Sequence, residues 1–376
     1  MPVRVLVVDD SNFFQHRLKD IINEHPDLKV IGIASNGREA VEKAEQLKPD
    51  IITMDFEMPV MDGVTAIKLI MANRKVPILM FSSLTYEGAK VTLDALAAGA
   101  LDFTPKDFAE VSRSSDALKK KLHERLITLA GVTARAAPVI EPRPTSVSST
   151  PQLRAPVPVT RTPVRPMVHT PAEDSAKSSG VDNYRLKKQP KLLVIGASTG
   201  GPVALAEVLA TLPANFPLPI VLVQHMPENF TKAFAERLNK QCNIRVREAV
   251  DGDQLQAGLA LLAPGGKQLM LDRRNGGSVR VLPDDERVNY KPSLDITFGS
   301  AANIYADKVL GVVLTGMGSD GCNGARLLKE AGSALWSQDE ASCVIYGMPM
   351  AVARAGLTDK VLSLKEIGPR LVREVM

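Results

Sequence analysis

The stretch LLVIGASTGGP, residues Leu192–Pro202, decides how the second half of this chain is expected to fold. Its apolar residues have the length of a buried strand, and its small residues suit a tight turn into a helix with Pro202 at the first position. Two later apolar runs, Pro219–Val223 and Val309–Leu314, also end in polar loops. Strands that alternate with helices predict a parallel sheet with helices on both faces.

Glycine-rich turns divide the segment between the second and third of these runs. PGG at Pro264–Gly266 and NGG at Asn275–Gly277 separate three short strand candidates. The candidates are Ala260–Leu262, Gln268–Leu271 and Val279–Leu282, and they predict a hairpin insertion. Near the end, the SLKE motif at Ser363–Glu366 is a capping box that opens a last helix through Leu371.

Three polar side chains lie just beyond the predicted buried strands. Ser198, His225 and Asp320 supply a hydroxyl, an imidazole and a carboxylate, which are the parts of an activated serine nucleophile. In open α/β sheets, ligands bind at these strand ends. No other histidine follows Pro190, so His225 is the only candidate base for a serine hydrolase in this half.

The loop around Ser198 admits other interpretations. GASTG, residues 196–200, has the G-x-S-x-G form, but the order serine, histidine, aspartate differs from that of α/β-hydrolases. A phosphate or dinucleotide loop is disfavoured because the G-x-G-x-x-G spacing fails and no Gly-Lys-Ser/Thr follows. Asp320 could also be the N-cap of a helix through Leu327 and Leu328.

The first half alternates short apolar runs with helix-period segments. The strand candidates are Val3–Val8, Lys29–Ala34, Ile51–Met54, Ile78–Phe81 and Ala100–Phe103. Five strands alternating with helices predict a second parallel sheet that is covered on both faces.

Carboxylates gather at the ends of these strands. Asp9 and Asp10 close the first strand and Asp55 closes the third, so the three should share one pocket. Crowded oxygen ligands favour Mg²⁺, and beside this ion an aspartate can accept a phosphoryl group. Ser82 and Lys106, after the fourth and fifth strands, supply a hydroxyl and an ammonium for the phosphoryl oxygens.

Prolines from Pro138 to Pro171, with Ser, Thr and Arg between them, predict a semi-extended linker. We therefore expect three parts: a domain over 1–130, the linker over 131–189 and a second domain over 190–376.

A net charge of +4 does not indicate nucleic acid or membrane binding, and the three cysteines form no CxxC pair. Without a signal peptide or a membrane-spanning run, a cytoplasmic protein is expected.

The N-terminal motifs resemble those of two-component receiver domains. They are VVDDS at Val7–Ser11, MDFEMPVMDG at Met54–Gly63, Ser82–Ser83 and DFTPK at Asp102–Lys106. The resemblance implies a flavodoxin-like fold, Asp55 as phosphoacceptor, Asp9 and Asp10 in the acid pocket and the Glu57 carbonyl as a metal ligand. It also implies Ser82 as the switch hydroxyl and Lys106 as the phosphate-contacting lysine. Asp107 departs from the pattern, because a proline usually follows that lysine.

The C-terminal motifs resemble those of chemotaxis protein-glutamate methylesterases. They are Ile195–Pro202, VQHMP at Val223–Pro227, Ala263–Gly266, Pro292–Ser293 with Asp295, and TGMGSDG at Thr315–Gly321. The resemblance implies a Rossmann-like domain without a cofactor that hydrolyses glutamate methyl esters on chemoreceptors and deamidates particular glutamines. Ser198 would be the nucleophile, His225 the base and acid, and Asp320 the residue that orients the imidazole. Main-chain N–H groups near Thr199 and Met317 would stabilise the oxyanion.

The same resemblance implies regulation. A chemotaxis-type histidine kinase would phosphorylate Asp55, and the receiver would cover the esterase cleft until then. Gln268, Tyr290 and Lys291 depart from the family pattern, and we expect these differences to affect substrate or receptor preference.

Two rival classes of protein remain to be compared. A DNA-binding response regulator is disfavoured because no helix-turn-helix candidate follows the linker. An inactive esterase scaffold is disfavoured because Ser198, His225 and Asp320 are all intact.

Overall fold

A computed structural model describes residues 1–106, 116–136, 185–273, 277–283 and 288–376. Met1–Ala136 and Leu186–Met376 form one compact unit. Asp107 and most of the predicted linker lie outside the described residues, as do Asn275 and Gly276 of the NGG turn. The predicted domain boundaries therefore stay a prediction. None of the described helices is long and apolar enough to cross a bilayer.

Apolar strands of the first half form a five-stranded parallel sheet in the order β2-β1-β3-β4-β5. This is the flavodoxin-like order expected from the resemblance. Its strands are β1 (Val3–Val8), β2 (Leu28–Ala34), β3 (Ile51–Asp55), β4 (Ile78–Ser82) and β5 (Asp102–Pro105). Its helices are α1 (Asn12–Asn23), α2 (Gly37–Leu47), α3 (Gly63–Asn73), α4 (Tyr86–Ala97) and α5 (Asp116–Ala136).

The last strand of this sheet differs from the sequence prediction. We expected Ala100–Phe103, whereas β5 is Asp102–Pro105. The turn that ends α4 takes the earlier residues, because Gly99 has φ +117° and the Ala100 N–H donates to the Ala95 carbonyl. Pairing with β4 begins only at Leu79 and Asp102, which places Asp102 inside the strand.

The second half forms a seven-stranded parallel sheet in the order β14-β13-β12-β6-β7-β9-β8. The strands are β6 (Leu192–Ala197), β7 (Ile220–Gln224), β8 (Arg245–Glu248), β9 (Leu259–Leu262), β12 (Val309–Val313), β13 (Ala334–Gln338) and β14 (Lys360–Leu362). The helices are α6 (Gly201–Ala210), α7 (Phe230–Gln241), α8 (Leu294–Tyr305), α9 (Cys322–Glu330), α10 (Met348–Arg354) and α11 (Leu364–Val375). Strands β6, β7 and β12 are fully buried because they run through the centre of this sheet.

The predicted hairpin is present, with one strand reassigned. β10 (Gln268–Asp272) and β11 (Ser278–Leu282) pair in an antiparallel two-stranded sheet, whereas β9, which covers the first candidate, joins the large sheet. The capping box opens α11 as predicted, and this helix continues to Val375. Helix α6 begins at Gly201, so Pro202 is its second residue.

Candidate functional site

Ser198 lies in the turn between β6 and α6. Its main-chain N–H donates to the Thr315 carbonyl at 3.0 Å, which ties this turn to the end of β12. Gly200 has φ +77°, and a Cβ there would lie 2.7 Å from Val344, so only glycine fits the turn. The tight turn leaves the serine half-buried at the carboxyl edge of the sheet.

His225 follows β7, the strand next to β6. Its main-chain N–H donates to the Ala197 carbonyl at 3.1 Å. The buried Gln224 side chain joins the two segments, because its Nε2 donates to the carbonyls of Ser198 (2.9 Å) and His225 (3.1 Å). Gln224 thus holds the serine turn beside the histidine, a role that the sequence analysis did not assign.

Asp320 is buried and holds the imidazole. Its Oδ2 lies 2.7 Å from His225 Nε2 and also accepts the Leu294 N–H at 2.7 Å. Its Oδ1 accepts the Ser293 hydroxyl at 2.8 Å and the Asp295 N–H at 3.1 Å. Burial acts to raise the pKa of Asp320, but the hydrogen bonds from His225, Leu294 and Ser293 outweigh it and hold the pKa below its usual range.

The N-cap interpretation of Asp320 is wrong. Helix α9 has Gly321 as its N-cap and no side-chain capping bond. The carboxylate instead accepts the first N–H groups of α8, which is a different helix. A helix N-terminus favours a negative charge, so α8 helps to keep Asp320 ionised.

The serine hydroxyl is not yet joined to the imidazole. Within the described residues, no hydrogen bond links Ser198 Oγ with His225, although both residues line one cavity. His225 Nδ1 is buried and has no hydrogen-bond partner there. Because Asp320 occupies Nε2, Nδ1 is the ring nitrogen that is left to accept a proton.

Tyr290 stacks on the imidazole. The ring centroids of Tyr290 and His225 are 4.3 Å apart and the planes differ by 14°. Gln268 Nε2 donates to the Tyr290 carbonyl at 2.7 Å, and Gln268 Oε1 accepts the Ser293 N–H at 2.8 Å. Two of the three departures from the family pattern therefore lie around the His225–Asp320 pair. The sequence flagged these positions, but nothing in it showed that they contact the histidine.

The two candidate oxyanion groups lie in different loops, the serine turn and the loop that follows β12. Thr199 follows Ser198, and Met317 lines the same cavity. Neither main-chain N–H donates a hydrogen bond within the described residues. Both are therefore free to bind an oxyanion, as the resemblance implies.

The cavity at this site has a volume of about 910 Å³, and both halves of the chain line it. Thr199 Oγ1 donates to Asp102 Oδ2 of β5 at 2.8 Å, and Arg125 of α5 lies 3.0 Å from the same oxygen. The rings of Phe103 and Phe230 stack with their centroids 4.7 Å apart. The first half of the chain therefore covers the residue next to Ser198.

Further contacts join α4 to α7. Arg237 pairs with Asp94, and the Tyr86 hydroxyl donates to Glu236. Asn229 Nδ2 donates to the Leu84 carbonyl at 3.3 Å, just before α7 begins. These polar contacts lie at exposed positions, which water can compete for.

The acid pocket forms at the end of the five-stranded sheet. Carboxylate oxygens of Asp9, Asp10 and Asp55 lie within 4.8 Å of one another. Lys106 Nζ lies 2.8 Å from Asp9 Oδ2 and 2.7 Å from Asp55 Oδ2. Burial raises the pKa of Asp55 to about 6 even though the Lys106 ammonium opposes the shift. Such a cluster of oxygens and negative charge fits a Mg²⁺ ion.

Two more predicted residues lie near this pocket. Exposed Glu57 lines a cleft of about 620 Å³ together with Asp10. The buried Ser82 hydroxyl accepts a hydrogen bond from Thr92 Oγ1 at 2.6 Å and lies 3.3 Å from the Gly88 carbonyl. Within the described residues, no hydrogen bond joins Ser82 Oγ to Asp55. The structure thus places Ser82 at the end of β4 with its hydroxyl turned toward α4.

Comparisons with known proteins match the two halves of the chain to two different families of domain. A family model described as CheB methylesterase matches residues 193–371, and one described as response regulator receiver domain matches residues 5–117. A protein-glutamate methylesterase/protein-glutamine glutaminase of Saccharophagus degradans is 55% identical over 378 residues, covering 100% of both chains. One from Pseudomonas putida is 57% identical over 378 residues, covering 99% of each chain. The crystal structure of the Thermotoga maritima CheB methylesterase catalytic domain is 41% identical, with a TM-score of 0.48, and covers 50% of this chain and 99% of that one.

Proposed function

This chain belongs to the CheB family of protein-glutamate methylesterase/protein-glutamine glutaminases with a receiver domain, and from that premise we propose how its own residues perform the hydrolysis. Ser198 is the nucleophile, His225 transfers the proton and Asp320 fixes the imidazole. The observation that carries the proposal is the 2.7 Å bond between His225 Nε2 and Asp320, which leaves Nδ1 without a hydrogen-bond partner in a residue that lines the same cavity as Ser198.

The first step forms the acyl-enzyme. Ser198 Oγ attacks the γ-carbonyl carbon of a receptor glutamate methyl ester, and His225 Nδ1 accepts the hydroxyl proton. Asp320 keeps the other ring proton on Nε2 and stabilises the imidazolium. The Thr199 and Met317 N–H groups donate to the oxyanion. The imidazolium then gives its proton to the departing methoxide, and methanol leaves.

The second step restores the enzyme. A water molecule loses a proton to His225 Nδ1 and attacks the acyl carbon, and Ser198 leaves with that proton. The product is a glutamate carboxylate on the receptor. With a receptor glutamine, the same steps release ammonia instead of methanol. The chemistry requires no cofactor in this domain.

Replacement of the nucleophile tests the assignment. Ser198→Ala should lower the rate of methanol release from methylated chemoreceptors by at least about 10⁴-fold, because no acyl-enzyme can form. The matched control is Ser363→Ala, which removes a hydroxyl from the capping box of α11 and should leave this rate unchanged. Full activity of the Ser198→Ala protein would refute the proposal.

The receiver pocket is proposed to control access to the esterase cleft. Asp55 would accept the phosphoryl group, while Asp9, Asp10, Asp55 and the Glu57 carbonyl would hold Mg²⁺. The ion supplies positive charge that neutralises the phosphoryl oxygens. Lys106 and Ser82 would bind the same oxygens, which requires the Ser82 hydroxyl to turn away from Thr92.

Phosphorylation would weaken the contacts that cover the cleft. The Asp102–Thr199 bond and the Phe103–Phe230 stack support this view. Asp102 and Phe103 belong to β5, the strand that Lys106 follows directly. The proposed phosphodonor is a chemotaxis-type histidine kinase, and the proposed substrates are methyl-accepting chemoreceptors at their cytoplasmic helices. No part in nucleic acid binding or membrane insertion is proposed.

A further inference from the structure

Among the described residues, the ring of Tyr290 stacks on His225. Its ring lies face to face with the imidazole, at 4.3 Å between centroids and 14° between planes. One hydrogen bond to Asp320 fixes the direction of Nε2 but leaves the ring free to rotate about that bond. An aromatic face against the imidazole removes this freedom, because tilting the ring breaks the stack.

Tyr290 is held through its main chain. Gln268 of β10, which is buried, donates to its carbonyl at 2.7 Å. On the other side, a Cβ added at Gly318 would lie 2.6 Å from the Tyr290 hydroxyl oxygen. Gly318 has φ +86°, so the loop passes close over the phenol and no other residue fits there. Gln268 therefore anchors the main chain at Tyr290, and the phenol hydroxyl lies close to the Gly318 loop.

The charge that develops during the reaction gives the stack a second effect. When His225 accepts the serine proton, its ring becomes a cation, and the face of an aromatic ring attracts a cation. Burial, together with the charge of Asp320, raises the pKa of Tyr290, so the phenol stays protonated and neutral. The stack is thus stronger in the charged state that precedes methanol release than in the resting state.

We infer that Tyr290 is a positioning residue of the esterase. Its ring face keeps the His225 imidazole parallel to it, so that Nδ1 is available to accept the serine proton, and it favours the protonated form of the imidazole. The inference rests on the proposed function of Ser198, His225 and Asp320. It changes the expectation for Tyr290 from substrate preference to a part in the chemical step.

Steady-state kinetics of methanol release by the full chain tests the inference with three variants. Tyr290→Phe keeps the ring and should retain kcat within about twofold. Tyr290→Leu and Tyr290→Met remove the ring and should lower kcat about tenfold, with KM for methylated receptor unchanged. The methionine variant fills a similar volume, so it remains informative where the leucine variant is too unstable. Circular dichroism compares the folding of all three.

Tyr305→Leu is the matched control, because Tyr305 is a half-buried tyrosine in α8 whose hydroxyl lies beside Gly277 of the hairpin. It should leave kcat and KM unchanged. The inference is overturned if both ring-less variants keep kcat within twofold, if Tyr290→Phe falls as far as they do, or if they raise KM and keep kcat. Those outcomes leave the proposed function intact as long as Ser198→Ala is inactive.

Discussion

At the scale of single residues, Asp320 shows how the fold holds the carboxylate that is proposed to orient His225. The sequence predicted that it would orient His225, but not that Ser293 and two N–H groups of α8 would also bind it. These partners come from a segment 25 to 27 residues earlier in the chain. Such a contact depends on how α8 packs, and no local motif encodes it. Its effect is to keep a buried carboxylate charged.

Asp320→Asn tests the role of that charge. The amide keeps the size of the side chain but can donate to Nε2, which would leave the ring proton on Nδ1, where it blocks proton transfer from the serine. We expect kcat for methanol release to fall on the order of 10⁴-fold. Asp295→Asn is the control, since this carboxylate accepts the Gly324 N–H at 2.7 Å and does not touch the imidazole. Losses of less than tenfold in Asp320→Asn would contradict the assignment.

At the scale of elements, the turn between β6 and α6 depends on contacts that its motif does not reveal. Glycine is required at Gly201 because a Cβ there would lie 2.1 Å from Gln224 Oε1 and 2.8 Å from the Ala197 Cβ. Gln224 in turn holds the carbonyls of Ser198 and His225. The turn and the end of β7 therefore form one unit.

Gly201→Ala should disturb that unit. The added methyl group displaces the Gln224 amide, so we expect the free energy of unfolding to fall by about 1–3 kcal/mol and kcat to fall with it. Gly131→Ala is the matched substitution, because this α5 position has open space and a helix interior prefers alanine. It should raise the free energy of unfolding by about 0.5–1 kcal/mol. Urea unfolding of both variants measures the difference, and equal effects would contradict this account.

Local patterns predicted most of the elements. Apolar runs located the central strands of both sheets, and the capping box located α11. The prediction failed at the start of β5, because Ala100 looks like a strand residue but its N–H bonds back to Ala95 in the turn at Gly99. Ser198, His225 and Asp320 were proposed from their places after strands. The contact of Gln224 with the serine turn and that of Tyr290 with His225 were not predicted, because they depend on strand order and on the path of the 288–293 segment.

At the scale of the whole molecule, the two halves of the chain meet over the candidate active site. The contacts include an apolar and hydrogen-bonded part beside Thr199, apolar packing of Ile345 against the core of the first half, and an exposed ion pair between α4 and α7. Exposed ion pairs contribute little stability, on the order of 0–1 kcal/mol each. The ion pair is therefore the part of these contacts that a modest change in free energy can remove.

Reversal of one charge should therefore raise the basal activity. Arg237→Asp places two carboxylates opposite each other, and we expect methanol release without phosphodonor to increase about two- to fivefold. The double variant Asp94→Arg, Arg237→Asp restores the attraction and should return the rate to its original value. Lys329→Asp, which breaks the pair with Asp359 inside the second half, is the control that should not activate. An unchanged rate in Arg237→Asp would show that this pair does not hold the cover in place.

Strand β5 has one further consequence. Asp102 at its start binds Thr199, and Lys106 just after its end binds Asp55, so a single strand about 13 Å long joins the two contacts. No other residues of the strand lie outside this short span. Under the proposed function, an insertion or deletion within these few residues would change the spacing between the Asp55 pocket and the contact with Thr199, and would thereby break the proposed coupling.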